Sequence, residues 1–286
     1  MSGHTHDDID WADRLTQLRM ADTLDASALT PVARRLLAGL PEHPTIVDVG
    51  CGAGGMSVLF ARELARGGTL VLVDATPKLL AEAERAVAEA AAGSVEVVSL
   101  QGDLADPGLA APAADLVWAS GVVHHVGDQQ AALRTLAGLV RPGGVLAIAE
   151  GGLELRCLPW ELGVGRPGLE QRLHAARAAW FTRMRAGLPG SVPMLYGWTR
   201  ALREAGLSDV ESFGALIDHP MPGSDLLREY VVHRIGWLAD WATEWLDPDD
   251  RAAVATLTDP RSPHFLGHRD DLYLFGAKAI HSGRSR

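Results

Sequence analysis

Short apolar runs alternate with longer amphipathic stretches through the first half of the chain. The β-branched run at residues 45–49 leads into a cluster of glycines and then into a helix-like stretch over 56–64. This order predicts a strand, a tight turn and a helix. Helices are also predicted over 76–92 and 128–139. Further apolar runs, each typical of a buried strand, lie at residues 69–73, 95–99, 114–119 and 145–149.

Buried strands that alternate with helices predict a mostly parallel sheet covered on both faces, the doubly wound α/β class. After residue 150 the rhythm changes. The pattern predicts one more helix over 199–205, a strand over 210–213, helical structure over 224–258 and a closing strand over 271–280. The corresponding division is 1–40 (N-terminal helical segment), 41–150 (nucleotide-binding core), 151–197 (helical lid insertion), 198–217 (core helix and strand 6), 218–268 (second helical insertion) and 269–286 (closing strand and tail).

Composition narrows the classes of function. The chain has 286 residues, of which 47% are hydrophobic, enough for one large core with a smaller appended element. A formal net charge of -10 disfavours a nucleic-acid partner. The two cysteines lie far apart and indicate neither a disulfide framework nor a metal site. Because the sequence contains no long apolar run, we expect no membrane association and a cytoplasmic location.

The glycine turn is the main functional signal. Gly50, Gly52 and Gly54 follow a predicted strand and precede a helix, where glycine lets the backbone approach a ligand closely. Gly50, Gly52 and Gly55 also satisfy the dinucleotide pattern, and Asp74 lies at a suitable distance to bind a ribose, so an NAD-dependent oxidoreductase is one interpretation. Asp48, two residues before the first glycine, argues against a pyrophosphate ligand.

Five motifs in order resemble those of the class I S-adenosylmethionine (SAM) dependent methyltransferases. Residues 48–54 (DVGCGAG) are similar to the first motif, Asp74 to the ribose-binding acid and residues 102–104 (GDL) to the adenine-contacting turn. Residues 114–120 resemble the fourth strand, and residues 139–146 the approach to the fifth. The resemblance implies a seven-stranded sheet of order 3-2-1-4-5-7-6 with the last strand antiparallel, and SAM as cofactor with S-adenosyl-L-homocysteine as product. The cofactor-binding residues it implies are Asp48, Gly50, Cys51, Gly52, Gly54, Asp74, Ala75, Gly102, Asp103, Leu104 and Ser120.

Candidate catalytic groups follow the fourth and fifth strands. His124 and His125 lie just beyond Ser120, and Glu150 ends the neighbouring strand. Because ligands of such sheets bind at the carboxyl ends of the strands, either histidine is a candidate general base, with Glu150 as its orienting carboxylate. In the alternative, one imidazole only packs beside the cofactor.

The acceptor is expected to contact the helical insertions. Residues 151–204 contain eight arginines and four acids, a net charge of +4 in an acidic protein. Arg156 and Arg177 are therefore candidates to hold an acidic group on the acceptor. Trp237 and Trp241, with Trp245, recur every four residues and predict one helical face. This face either covers an apolar acceptor or packs the lid and a partner subunit in a homodimer.

The combined expectation is methyl transfer to a small organic molecule or a short peptide, with a hydroxyl or carboxylate oxygen favoured. Nitrogen or carbon methylation is the first alternative. An NAD-dependent oxidoreductase and a SAM-binding module without catalysis are alternatives from other classes.

Overall fold

The computed structural model describes residues 14–64, 66–91, 93, 95–106 and 108–286. The first thirteen residues of the predicted N-terminal segment lie outside this description. The helices are α1 (Leu15–Leu37), α2 (Gly55–Glu63), α3 (Pro77–Ala90), α4 (Gln129–Gly138), α5 (Leu169–Gly187), α6 (Trp198–Glu204), α7 (Asp225–Trp241) and α8 (Pro248–Thr258). The strands are β1 (Thr45–Val49), β2 (Gly68–Asp74), β3 (Val95–Gln101), β4 (Ala114–Ser120), β5 (Val140–Arg156), β6 (Ser208–His219) and β7 (Leu274–Arg284).

The strands form one seven-stranded sheet of order β3-β2-β1-β4-β5-β7-β6, as predicted. β1 pairs in parallel with β2 and β4, and the parallel pairing continues to β3 on one side and β5 on the other. The order reverses at β1, between β2 and β4. In doubly wound sheets, ligands bind beyond the carboxyl ends of the strands at such a reversal.

The chain divides into two compact units. The sheet unit contains residues 14–153, 188–215 and 278–286, and the helical unit contains residues 154–187 and 216–277. Residues 188–197, which the sequence predicts to be part of the first insertion, belong to the sheet unit. None of the helices in the described ranges is both long and apolar enough to cross a bilayer.

Alternate side chains of the central strands enter two separate cores of the sheet unit. Ile46 of β1 belongs to a cluster with side chains of α1, α2 and α3, whereas Val47 and Val49 belong to a second cluster with side chains of α4 and α6. The strand side-chain period of two residues explains this division. Both faces are covered, which is why the strands are continuously apolar in sequence.

β5 differs most from its predicted bounds of 145–149. The register moves two positions along β4, from Ala114 to Leu116, but five along β5, from Val140 to Val145, so three residues form a bulge. Gly143 N donates to the Ser285 carbonyl at 3.0 Å, and this pairing with the end of the chain holds the bulge. The predicted bounds of this strand, 145–149, were therefore too short at both ends.

The helical unit corrects the predicted tryptophan face. Helix α7 ends at Trp241, and Trp245 lies in a separate 3-10 turn, Thr243–Trp245. α8 then begins at Pro248, with Asp247 as its N-cap, because proline disfavours helix in the residue before it. Trp237 and Trp241 do contact each other, with ring centroids 4.6 Å apart, and Trp180 of α5 lies 4.3 Å from Trp241.

Candidate active site

The turn between β1 and α2 has three glycines in the left-handed region. Gly50, Gly52 and Gly54 have φ values of 68°, 56° and 90°, which other residues adopt only at a cost. A Cβ on Gly50 would lie 2.3 Å from Val122 Cγ2, and one on Gly54 would lie 2.9 Å from Ala83 Cα. A Cβ on Gly52 would meet nothing within 4 Å. The turn is thus packed on two sides and open at Gly52.

Asp74, at the end of β2, holds this turn in place. Its Oδ2 accepts a hydrogen bond from Gly52 N at 2.9 Å, and its Oδ1 accepts one from Thr76 N at 2.8 Å. Burial raises the pKa of the Asp74 carboxyl, against the effect of these two bonds. A carboxylate has lone pairs beyond those two. Asp74 therefore combines a structural role with the capacity to accept ribose hydroxyls, and Ala75 follows it directly.

Asp48 lies beneath the turn and is buried. Ser57 Oγ of α2 donates to Asp48 Oδ2 at 2.5 Å. Burial, opposed by the Ser57 hydrogen bond and assisted by the neighbouring carboxyls of Asp74 and Asp22, raises the pKa of Asp48 to about 7. The contact to Ser57 ties β1 to α2. Burial also raises the pKa of the Cys51 thiol well above its usual range.

The turn after β3 lies against the end of β2. Gly102 N donates to the Asp74 carbonyl at 3.1 Å, and Asp103 Oδ1 accepts from Ala105 N at 2.8 Å. Leu104 is buried, whereas Asp103 is exposed. The structure therefore brings Gly102 beside Asp74, as the motif order predicts, and leaves the Asp103 carboxyl accessible beyond the sheet edge.

The predicted catalytic histidines lie just beyond the end of β4, whereas Glu150 lies on β5, which continues to Arg156 and does not end at Glu150 as predicted. Ser120 of β4 pairs in register with Ala149 of β5, so the 3-10 turn Val123–His125 lies next to Glu150. His124 Nδ1 lies 2.6 Å from Glu150 Oε2. The side chain of Glu150 is 2% exposed and that of His124 is 24% exposed. A buried carboxylate thus orients a partly accessible imidazole.

Glu150 also shapes the turn that carries the histidine. Its Oε1 accepts hydrogen bonds from Val122 N at 3.1 Å and from Val123 N at 2.8 Å. Bonds from backbone N–H groups compensate the burial of the carboxylate. The ring of His125 lies 4.0 Å from that of His124, centroid to centroid. Val122 packs over Gly50, so one turn supports both the glycine loop and the imidazole.

Sequence reasoning missed Asp22 of α1. A Cβ on Gly55 would lie 2.2 Å from Asp22 Oδ1, and the Gly55 backbone hydrogen bond lowers the pKa of Asp22. Burial is the larger influence and raises that pKa to about 7, with Lys278 opposing it. Asp22 therefore caps the first turn of α2, where carboxylates are favoured. A single acid within a long predicted helix carries no signal of this contact.

The predicted acceptor residues all belong to the helical unit. Arg177 Nη1 lies 3.3 Å from Glu154 Oε1, and its Cζ lies 5.6 Å from the ring centroid of Trp237. Arg156 has a buried Nη1. The structure thus brings Arg177, Trp237 and Trp241 into one group, while the dimer role of the tryptophans stays a prediction.

Both the sequence and the fold are similar to those of known proteins. A methyltransferase domain model matches residues 47–146. Nocamycin O-methyltransferase of Saccharothrix syringae is 32% identical over 83% of this chain and 86% of its own length. Trans-aconitate 2-methyltransferase of Azoarcus sp. (strain BH72) is 35% identical over 43% of this chain and 46% of its own. The solved structure of Haemonchus contortus phosphoethanolamine N-methyltransferase 2 with SAM has a TM-score of 0.50 at 16% identity, covers 97% of this chain and 60% of that one, and shows the fold alone.

The chain forms a doubly wound sheet with a glycine turn and with acids at successive strand ends. This combination defines an enzyme that binds a nucleoside-containing cofactor. With the relatives above, the chain belongs to the class I SAM-dependent methyltransferases. The interpretation as an NAD-dependent oxidoreductase finds no support in these comparisons.

The residues at the turn fit SAM. The carboxyls of Asp22 and Asp74 lie close enough to Asp48 to raise its pKa, and these acids favour a cationic ligand over a pyrophosphate. Gly52 provides an open approach to the backbone. When bound, SAM supplies a methyl group attached to a positively charged sulfur, and Asp74 and Asp103 are the acids available for its ribose and adenine.

Proposed function

We propose that the enzyme methylates an oxygen atom, hydroxyl or carboxylate, of a small organic molecule. The observation that carries this proposal is the 2.6 Å contact between His124 Nδ1, just beyond the end of β4, and Glu150 Oε2 on β5. The proposal is also supported by the relatives, since one is a nocamycin O-methyltransferase and another a trans-aconitate 2-methyltransferase.

His124 is proposed to act as the general base for a hydroxyl acceptor. The Nδ1 contact to Glu150 fixes the orientation of the ring, and Nε2 is then the atom that takes the hydroxyl proton. The Glu150 carboxylate stabilises the imidazolium that forms, as an orienting acid does in other histidine dyads. A carboxylate acceptor has no proton to lose, and for it the ring serves only to position the acceptor.

The proposal is tested by finding the acceptor and then changing the base. The purified enzyme is incubated with SAM and a panel of phenols, alcohols, carboxylic acids, amines and short peptides, and products are analysed by mass spectrometry and NMR. We expect an O-methyl ether or ester. An N- or C-methyl product would overturn the assignment to oxygen.

For a hydroxyl acceptor, the His124→Asn variant should lower kcat about 10²–10⁴-fold, the usual contribution of a positioned base. The matched control is His125→Asn, at the neighbouring ring. SAM affinity is measured for each variant by calorimetry. Equal kcat values for wild type and His124→Asn, with SAM binding intact, would exclude the base role.

A further inference from the structure

Three arginines meet at the end of β5 within the helical unit. Arg156 lies on β5 itself, Arg177 on α5 and Arg234 on α7. Arg177 Nη1 lies 3.3 Å from Glu154 Oε1, and Arg234 Nη2 donates to the Leu155 carbonyl at 3.1 Å. Two of these arginines therefore contact the two residues that precede Arg156 on β5, and the three are named here the arginine cluster.

Each member of the arginine cluster has a buried nitrogen with no hydrogen-bond acceptor among the described residues: Arg156 Nη1, Arg177 Nε and Arg234 Nε. Arg234 is only 7% exposed. A buried charged donor that makes no hydrogen bond is costly, and such groups in native proteins call for an explanation. The cluster thus has donor capacity that the described residues do not use.

The charge balance of this region is positive. Three arginines face the acids Glu154 and Glu170, which gives 3 − 2 = +1 before His174 is counted. Glu170 is engaged elsewhere, since its Oε1 accepts from Cys157 N at 2.9 Å. The bond to His174 is the main cause that lowers the pKa of Glu154 to about 2. Both acids are thus occupied, and neither neutralises the cluster fully.

Aromatic rings lie beside these donors. Arg177 Cζ is 5.6 Å from the ring centroid of Trp237, and Trp237 is 4.6 Å from Trp241. An anion bound by Arg177 therefore has an apolar wall next to it. This combination favours a carboxylate carried on an aromatic or aliphatic body over a small inorganic ion.

We propose that the arginine cluster is a binding site for the carboxylate of an organic molecule. Guanidinium groups donate paired N–H bonds that match the geometry of a carboxylate. Arg234 is the residue that this assignment adds to those indicated by the sequence.

The test compares carboxylates with neutral analogues of the same shape. A panel of aryl and arylalkyl carboxylates, their primary amides and inorganic phosphate is titrated into the full chain in the presence of SAM, with calorimetry as the readout. We expect carboxylates to bind at least about tenfold more tightly than their amides, the effect of losing a charge-assisted pair. Arg177→Met and Arg234→Met should abolish this preference.

Arg183→Met is the matched control, because Arg183 lies on the same helix as Arg177 but is 60% exposed and contacts Glu244. It should keep the preference for carboxylates. Circular dichroism identifies any variant that fails to fold, and Arg177→Met, at a half-buried site, decides the question if Arg234→Met does not fold.

The outcomes separate this inference from the proposed function. Equal binding of carboxylates and amides by the wild type, or an unchanged preference in Arg177→Met, would overturn the carboxylate site. Binding of inorganic phosphate alone would overturn it as well. Calorimetry with SAM alone tests the sheet unit independently. If the wild type does not bind SAM, the methyltransferase function is contradicted, whereas the proposal for the arginine cluster is unaffected.

Discussion

Asp48 shows how the surroundings of one side chain set its protonation. Its carboxyl is buried and hydrogen-bonded to Ser57, and its pKa is raised from 3.8 to about 7. Because the folded state holds this proton more tightly than the unfolded state, the stabilisation is complete below pH ~4 and is lost as pH rises through ~7. The sign is opposite to that of a carboxylate in an ion pair.

The Asp48→Asn variant tests this effect, because an amide resembles the protonated carboxyl. Relative to wild type without ligand, we expect the variant to gain free energy of unfolding as pH rises from 5 to 8, by on the order of 2 kcal/mol. Urea unfolding at several pH values measures the difference. A difference that is independent of pH would show that Asp48 titrates as it does in the unfolded chain.

At the residue scale, the sequence predicted contacts that follow from motif order. His124 follows the end of β4, and Glu150 comes directly after the pairing of Ser120 with Ala149, so their proximity follows from the sheet. Arg234 and Asp22 were missed for the opposite reason. Each is a single charged residue within a helix, and its partner lies far away in sequence, at Leu155 and Gly55 respectively. Such contacts depend on tertiary packing, which no local pattern encodes.

The glycine turn offers a comparison at the scale of one element. Gly52 and Gly54 are both left-handed, but only Gly54 is closely packed, against Ala83. We expect Gly54→Ala to destabilise the fold by about 1–3 kcal/mol, through backbone strain and overpacking. Gly52→Ala should lower the free energy of unfolding by about 1–2 kcal/mol, through backbone strain alone. It should also weaken SAM binding, because the methyl group of the new alanine enters the open side of the turn.

Urea unfolding and calorimetry with SAM, run on both variants, separate the two effects. Gly138→Ala is a suitable control, since Gly138 ends α4 away from the turn, has no positive φ and has open space around it. Full SAM affinity in Gly52→Ala would contradict the role of this position as the approach to the ligand.

Elements with a simple period were predicted well, and those whose bounds depend on pairing were not. β1, α2 and α3 combine apolar periodicity with Gly or Pro at their ends, and their bounds lie within a few residues of prediction. β5 contains Pro142 and two glycines, which locally indicate a loop, yet pairing with the end of β7 extends the strand through them. Sequence period alone does not reveal such a bulge.

For the whole molecule, ligand binding and folding are coupled. The net charge is -10, and carboxyls gather around the glycine turn. SAM at 100 times its Kd should raise the free energy of unfolding by about 2.7 kcal/mol, because it binds the folded state alone. NAD at the same concentration should have no effect, since its pyrophosphate would face those acids. Denaturant unfolding with each ligand is the measurement, and stabilisation by NAD but not by SAM would contradict the assigned cofactor.

Cys51 lies in the middle of the glycine turn, which is assigned to SAM, a compound that alkylates nucleophiles. Sulfur reacts with electrophiles as the thiolate. Burial, and then the charges of Asp48 and Asp74, keep Cys51 protonated. The same carboxyls that favour a cationic methyl donor therefore disfavour the thiolate of Cys51, the form of this side chain that would compete for the methyl group.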